Sequence, residues 1–310
     1  MKTYAPGYYN DFKCISSECR HSCCIGWDVY IDEDTVSRYS SLGGCLGKRI
    51  RENLTELEDG IGFRMCPNGK CPFLNEEGLC DIIIEKGEGY LGEICSEHPR
   101  FYNFFSDHTE AGLGLSCEEA ARIILSSDKK CFTPISEDAE EEWELTEIEE
   151  YILSKRQKVF DILSDDALPL DSRVDMILTS TATHFEKKTP REFSEIFSRL
   201  ERLDDDWTEA LEDLGSFGNY DPIPKLDVAF ENLLHYFIYR HTPNAENEED
   251  FSARIAFSLL GYYVIKALCN AQIIKNGACT FEHLADIARA YSAEIEYSEE
   301  NTERLIHIFY

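Results

Sequence analysis

The stretch CISSECRHSCC places four thiols within eleven positions, at Cys14, Cys19, Cys23 and Cys24. A second group follows in CPNGKCPFLNEEGLC, at Cys66, Cys71 and Cys80, then Cys95 in LGEICSEHPRFY and Cys117 in GLSCEEAARIIL. Thiolates crowded in this way repel one another unless a cation or an iron–sulfur core neutralises them. Soft sulfur donors select zinc or iron–sulfur chemistry. Zinc closes a redox-silent tetrahedron with four thiolates. A four-iron cluster takes the same number and adds redox chemistry. The chain contains no C-x2-C pair, the usual zinc-knuckle spacing, and the first group departs from C-x3-C-x2-C because position 26 is Gly. The spacing therefore points to a multi-cysteine metal centre and leaves its metal open.

The neighbours of these thiols carry weaker signals. His21 and His98 read as ordinary side chains rather than ligands. Arg100 is placed to donate to cluster sulfurs or substrate, or simply to pair with a carboxylate. Trp27, just after CCIG, reads as a shield against solvent. Ser116 followed by Glu119 predicts a helix start that puts Cys117 in the first turn, where partial positive charge favours thiolate. Cys45, Cys131, Cys269 and Cys279 read as individual thiols without metal partners, as core cysteines commonly are.

Thirteen cysteines, an odd number, argue against a disulfide framework. The opening MKTYAPGYYNDFKC has no apolar run of leader length, and a cytoplasmic location is expected. The apolar stretch 255–268 is shorter than a bilayer span and predicts a buried helix, so no membrane partner is expected. With 30 basic and 60 acidic residues the net charge is −30, which disfavours a phosphate backbone and hence a nucleic-acid partner. Rossmann, Walker A, H-E-x-x-H and G-x-S-x-G patterns are missing.

The elements that position the thiols divide at about residue 131. Residues 1–131 hold eleven of the thirteen cysteines. They predict an α+β or irregular metal-binding domain with short elements: a strand at 27–32 (WDVYID), a helix at 35–42 and a strand at 80–89 (CDIIIEKGEG). Residues 132–310 predict an acidic, mainly α-helical domain that opens on the acidic linker PISEDAEEEWELTEIEE. Thr146 and Glu149 form a capping-box signature. Helical spacing recurs through Ile148, Ile152, Val159 and Ile162, and through Phe193, Ile196, Phe197 and Leu200. Further helices are expected at 226–242, at 249–276 with a break near Gly261, and at 280–296. Strand patterns are nearly absent there.

The segments PGYYNDFKCISSECRHSCCIGWDVYIDEDTVSRY, CPFLNEEGLCDIIIEKGEGYLGEICSEHPRFYNFF and GLGLSCEEAARIIL resemble those of flagellin lysine N-methylases, and ENLLHYFIYRH is similar to a stretch after that family's middle region. The likeness is strongest up to about residue 126. The cysteine pattern also resembles that of small proteins described as zinc- or iron-chelating domains. The resemblance implies transfer of methyl groups from S-adenosylmethionine to lysines of flagellin or another lysine-bearing protein, with a [4Fe-4S] cluster or zinc. It implies Cys14, Cys19, Cys23, Cys24, Cys71, Cys80, Cys95 and Cys117 as ligands, more than one cluster needs. His98 departs from the aromatic residue expected there and leaves the ligand set intact. The alternative is a non-enzymatic metal-chelating or metal-delivery protein. Tyr262, Tyr263 and Asn232 read as core or cap residues, so catalytic and S-adenosylmethionine-binding residues are left unassigned.

Overall fold

The computed structural model describes residues 2–128, 130–137 and 144–309. In chain order its elements are β1 (Lys2–Pro6), α1 (Glu33–Ser41), α2 (Gly44–Asn53), β2 (Leu54–Leu57), β3 (Gly60–Phe63), α3 (Asp81–Lys86), α4 (Glu93–Glu97), β4 (Arg100–Phe104), β5 (His108–Leu113), α5 (Glu118–Ser126), β6 (Phe132–Glu137), α6 (Glu147–Leu163), α7 (Leu170–Ser180), α8 (Pro190–Phe197), α9 (Asp205–Phe217), α10 (Asp227–His241), α11 (Glu248–Asn276), α12 (Phe281–Tyr291) and α13 (Glu299–Ile306). They form two compact units, Lys13–Arg100 and Met1–Phe12 with Phe101–Tyr310.

The units divide elsewhere than at residue 131, for a reason of strand pairing. β1 runs parallel to β5, with Lys2 opposite His108 and Tyr4 opposite Glu110. It runs antiparallel to β6, with Ala5 opposite Thr133. The sheet order β4-β5-β1-β6 binds the first residues of the chain to residues 100–137. Helix α10 joins this assembly. Tyr239 donates to the carbonyl of Ala111 at 3.0 Å, and Asn232 Nδ2 donates to the carbonyls of Leu125 and Ser127, each at 2.9 Å. The region beyond residue 131, expected to lack strands, thus opens on β6. That strand holds Pro134 and lies at the sheet edge, where a missing N–H is tolerated. Of the acidic linker, residues 138–143 lie outside the described residues.

The rest of this unit is helical, as the periodicity predicts. Thr146 and Glu149 close the capping box that starts α6. Helix α11 starts at Asn247, whose Oδ1 accepts from the amides of Glu249 and Asp250, and ends at Gly277, which takes φ +83°. It continues through Gly261 without the predicted break. A Cβ on Gly261 would lie 2.9 Å from the Phe237 ring, so glycine here admits the close approach of α10 rather than a bend. By length and composition α11 could cross a membrane, yet 83% of its apolar window is buried inside the protein, as in a core helix. Helices α7, α9 and α13 were not singled out in the sequence.

The unit Lys13–Arg100 has a small core of Val29, Ile31, Tyr39, Leu46, Ile50, Phe63, Phe73 and Ile82. Its predicted helix at 35–42 is α1, capped by Asp32. The predicted strand WDVYID is an extended segment whose Tyr30 makes a single bridge to Gly62. The predicted strand CDIIIEKGEG is instead helix α3. Only Ile82 of the isoleucine run is buried, while Ile83 and Ile84 are exposed, an asymmetry a short helix allows.

Candidate functional site

Backbone pairing brings the first two cysteine groups together. The Cys71 amide donates to the Cys24 carbonyl at 2.8 Å, the Gly26 amide donates to the Gly69 carbonyl at 2.9 Å, and Ile25 bridges Lys70. The turn 66–70 thereby places Cys71 beside Cys24. Cys80 bridges Leu74 and caps α3, and Cys95 lies in α4. Cys71 is buried in the small core, and Cys24, Cys80 and Cys95 pack against that same core.

These four thiols sense one another. Burial pushes Cys71 up to about 12, and negative charge on Cys24 and Cys80 adds to the effect. Burial pushes Cys95 up to about 12, with Cys24, Cys71 and Cys80 acting in the same direction. Burial also raises Cys80. Cys24 goes the other way, down to about 7, because the Cys23 thiol donates to it; Ser22 assists and burial opposes. One member of the set is thus poised as thiolate near neutrality, while burial and mutual charge keep its neighbours protonated.

Arg49 on α2 fixes the loops that carry two of the thiols. Its guanidinium donates to Asp81, next to Cys80, at 2.6 Å and to the carbonyl of Pro72, next to Cys71, at 2.5 Å. It also stacks over the Phe73 ring at 5.1 Å. Nothing about Arg49 distinguishes it in the sequence, since it lies in a different segment from either cysteine.

The other predicted ligands are not members of this small core, although Cys23 reaches it through its bond to Cys24. Cys14 and Cys23 are exposed. The Ser16 amide donates to Cys14 Sγ at 3.4 Å, and the Cys19 thiol donates to the His21 carbonyl at 3.3 Å. Cys117 belongs to the other unit, where it packs on the helical core. It is the N-cap of α5 rather than a first-turn residue. Ser116, the predicted cap, is buried with its hydroxyl unsatisfied. The preceding segment is held back by Tyr236, whose hydroxyl accepts from the Leu115 amide at 3.2 Å. Cys269 and Cys279, read as separate thiols, share a hydrogen bond that lowers Cys279 and helps to raise Cys269.

Among the described residues, no group of three or more His, Cys, Asp or Glu side chains is spaced to hold a metal ion. The donor chemistry of Cys24, Cys71, Cys80 and Cys95 nevertheless fits a soft centre. Four sulfurs border one core, and a metal cation would remove the electrostatic penalty that opposes their thiolates. A concavity of about 530 Å³ in the same unit is lined by Asp32, Asp34, Arg38, Glu88, Glu93 and Ser96, the last adjacent to Cys95. Its carboxylates outnumber its single cation, which suits a basic ligand.

The helical unit holds a buried charge network that the thiol-led reading missed. Glu296, at the end of a π-helical turn over Ser292–Glu296, has a fully buried side chain. It meets His241 at 2.6 Å and Arg240 at 3.2 Å, and accepts from the Tyr236 hydroxyl at 3.1 Å. Burial alone would raise Glu296; the Arg240 charge and the His241 contact overcome it and hold the carboxyl low. Arg240 lies over Phe101 at 4.8 Å and Tyr297 at 4.9 Å. The visible signal is YRH directly after the mostly apolar run LLHYFI, where charged residues require partners. A satisfied, buried carboxylate of this kind organises the fold around it and is poorly suited to accept a proton.

Residues 107–310 match the family described as the FliB lysine N-methylase C-terminal domain. A lysine-N-methylase of Salmonella typhimurium is 29% identical over 127 residues, covering 39% of this chain and 32% of that protein, and the lysine-N-methylase of Salmonella choleraesuis matches to the same extent. The flagellar biosynthetic protein FliU of Salmonella muenchen is 29% identical over 127 residues, which is 75% of its length. The matched part is thus about a third of each lysine-N-methylase. No solved structure matches the chain.

Proposed function

This chain belongs to the FliB lysine N-methylase family through residues 107–310, and we propose that it transfers methyl groups to lysine side chains of flagellin or another lysine-bearing protein in the cytoplasm. The donor in this proposal is S-adenosylmethionine. The observation that carries it is the family match across the helical unit, supported by relatives named lysine-N-methylase and flagellar biosynthetic protein.

The chemistry sets two demands. A lysine must lose its proton before it attacks a sulfonium methyl, because an ammonium has no lone pair. A net charge of −30 draws lysine-bearing surfaces in. The carboxylates beside Cys95 suit that first encounter, whereas a carboxylate close to the reacting nitrogen would hold the proton on. Orientation and exclusion of water must then bring the neutral amine to the donor.

In this proposal Cys24, Cys71, Cys80 and Cys95 hold a metal centre, an iron–sulfur cluster with zinc as the alternative. Cys14, Cys19, Cys23 and Cys117 remain proposed as further ligands. When bound, a cluster supplies redox chemistry and a cationic anchor for the thiolates, and zinc supplies the anchor alone. Arg49 positions two of the sulfurs through its bonds beside Cys71 and Cys80. The exposure of Cys14 and Cys23 favours a second reading, a metal-delivery protein that exchanges its ion.

Incubation of the purified chain with methyl-labelled S-adenosylmethionine and flagellin tests the activity. Label on flagellin lysines is the expected result. Absence of label from protein with its metal intact, together with rapid metal exchange to a chelator, would favour delivery instead.

A further inference from the structure

Four aromatic rings gather near the middle of α11. Tyr262 and Tyr263 come from α11 itself, Phe185 from the connection between α7 and α8, and Tyr220 from the segment after α9. Phe185 stacks on Tyr263 with centroids 5.6 Å apart and planes at 11°. Tyr220 meets Tyr263 at 5.4 Å and 74°. Tyr262 lies 5.0 Å from Tyr263. Tyr220 and Tyr263 therefore form two nearly perpendicular walls.

The corner between them holds a cation. Lys187 Nζ stands 4.9 Å from the Tyr263 centroid and 5.2 Å from the Tyr220 centroid. Both walls are anchored by contacts other than the Lys187 ammonium, one of them to the backbone beside it. Tyr263 is anchored in α11 and is 6% exposed, and the Tyr220 hydroxyl donates to the Lys188 carbonyl at 2.7 Å. Carboxylates of α7 reinforce the field: Asp171 and Asp175 both act on Tyr263, and Asp171 also holds the buried Lys266 at 3.0 Å.

Lys187 is held by rings, as Lys155 is over Tyr151 and Arg240 is between Phe101 and Tyr297. Acidic residues outnumber basic ones by 60 to 30. The neighbouring Lys188 pairs with Glu186 at 3.2 Å. Lys187 is exposed and, among the described residues, is engaged by rings rather than by a carboxylate. The side of its ammonium that faces the rings meets no hydrogen-bond acceptor there. A methylated ammonium keeps the charge, has fewer N–H groups to leave unsatisfied and presents more apolar surface to the rings, so the same corner prefers it.

We infer that the Tyr220–Tyr263 corner binds the methylated ammonium of a lysine on a partner protein, and that Lys187 fills the corner in cis until such a lysine displaces it. The corner itself follows from ring and cation geometry; the choice of methyl-lysine among quaternary and tertiary ammonium ligands rests on the lysine N-methylase reading. Such a site would hold a partner through lysines already modified and keep the remaining ones within reach.

Fluorescence anisotropy of a labelled short peptide carrying one trimethyl-lysine, titrated with the full chain, tests this, with the unmodified peptide as control. The site predicts tighter binding of the trimethylated peptide. Lys187→Ala removes the internal competitor and should tighten that binding by about threefold. Tyr220→Leu should abolish the preference for the methylated peptide, whereas Tyr220→Phe, which keeps the ring, should retain it even if the loop is loosened. Equal affinity for the two peptides in both the wild type and Lys187→Ala overturns the proposal. Preferential binding without methyl transfer would uphold the corner and defeat the enzymatic reading; methyl transfer without preferential binding would do the reverse.

Discussion

Arg49 and Asp81 meet at 2.6 Å, and the same guanidinium donates to the carbonyl of Pro72 at 2.5 Å. One side chain from α2 thereby clasps the residues that follow Cys71 and Cys80. Loss of this clasp should free both loops. Arg49→Ala is expected to cost about 1–3 kcal/mol, read from urea unfolding, and to speed alkylation of Cys71 and Cys80 in metal-free protein. Arg49→Lys should restore little, because a single ammonium lacks the planar fork that serves two acceptors.

Of the four thiols that border the small core, Cys24 is the one poised to react first. The bond donated by Cys23 holds it down to about 7, while burial pushes Cys71 and Cys95 up to about 12. At neutral pH, peptide mapping after brief iodoacetamide treatment of metal-free protein should find Cys24 modified well ahead of Cys71 and Cys95. Cys23→Ala removes the donor, raises Cys24 and should slow its labelling.

His235 makes the helical unit sensitive to acid. Burial, with the charges of Lys130 and Arg156, lowers it from 6.5 to about 3, and its ring stacks on Phe160 at 3.9 Å. The unfolded chain therefore takes up this proton before the folded one does. The contribution of neutral His235 is fully present above the unfolded value and is lost as pH falls from 6.5 towards 3, by up to about 1.4 kcal/mol per pH unit. His235→Phe, which preserves an aromatic ring against Phe160, should reduce the difference in unfolding free energy between pH 7 and pH 5 by about 2 kcal/mol. An unchanged difference would show that His235 does not titrate as its burial requires.

Much of this was legible in the sequence, and the parts that were not share a cause. Helix α6 could be read from Thr146, Glu149 and an apolar period because its cap and its buried face are both local. Helix α3 could not, because three consecutive isoleucines look the same in a strand and in a short helix that buries only Ile82. Gly261 reads as a helix breaker until Phe237 is seen to occupy the space a side chain would need. The sheet was hidden because β1 finds its partners over a hundred residues away, at β5 and β6.

The thiol site shows the same limit. The eight predicted thiols include Cys24, Cys71, Cys80 and Cys95, the four that border one core, but the sequence does not set these apart from Cys14 and Cys19, because turns and short helices separate them along the chain. Glu296 escaped notice because its partners, Arg240 and His241, lie on another helix.

Anaerobic purification followed by iron, zinc and sulfide analysis with an absorption spectrum tests most directly whether those four sulfurs act as one centre. The account predicts a metal-loaded chain, brown with sulfur-to-iron charge transfer if a cluster is bound and colourless with zinc otherwise. It also predicts that Ser at any one of Cys24, Cys71, Cys80 or Cys95 lowers metal content sharply while Ser at Cys45 does not. A wild-type chain that carries no metal after anaerobic purification, or four variants that all keep it, would contradict the account.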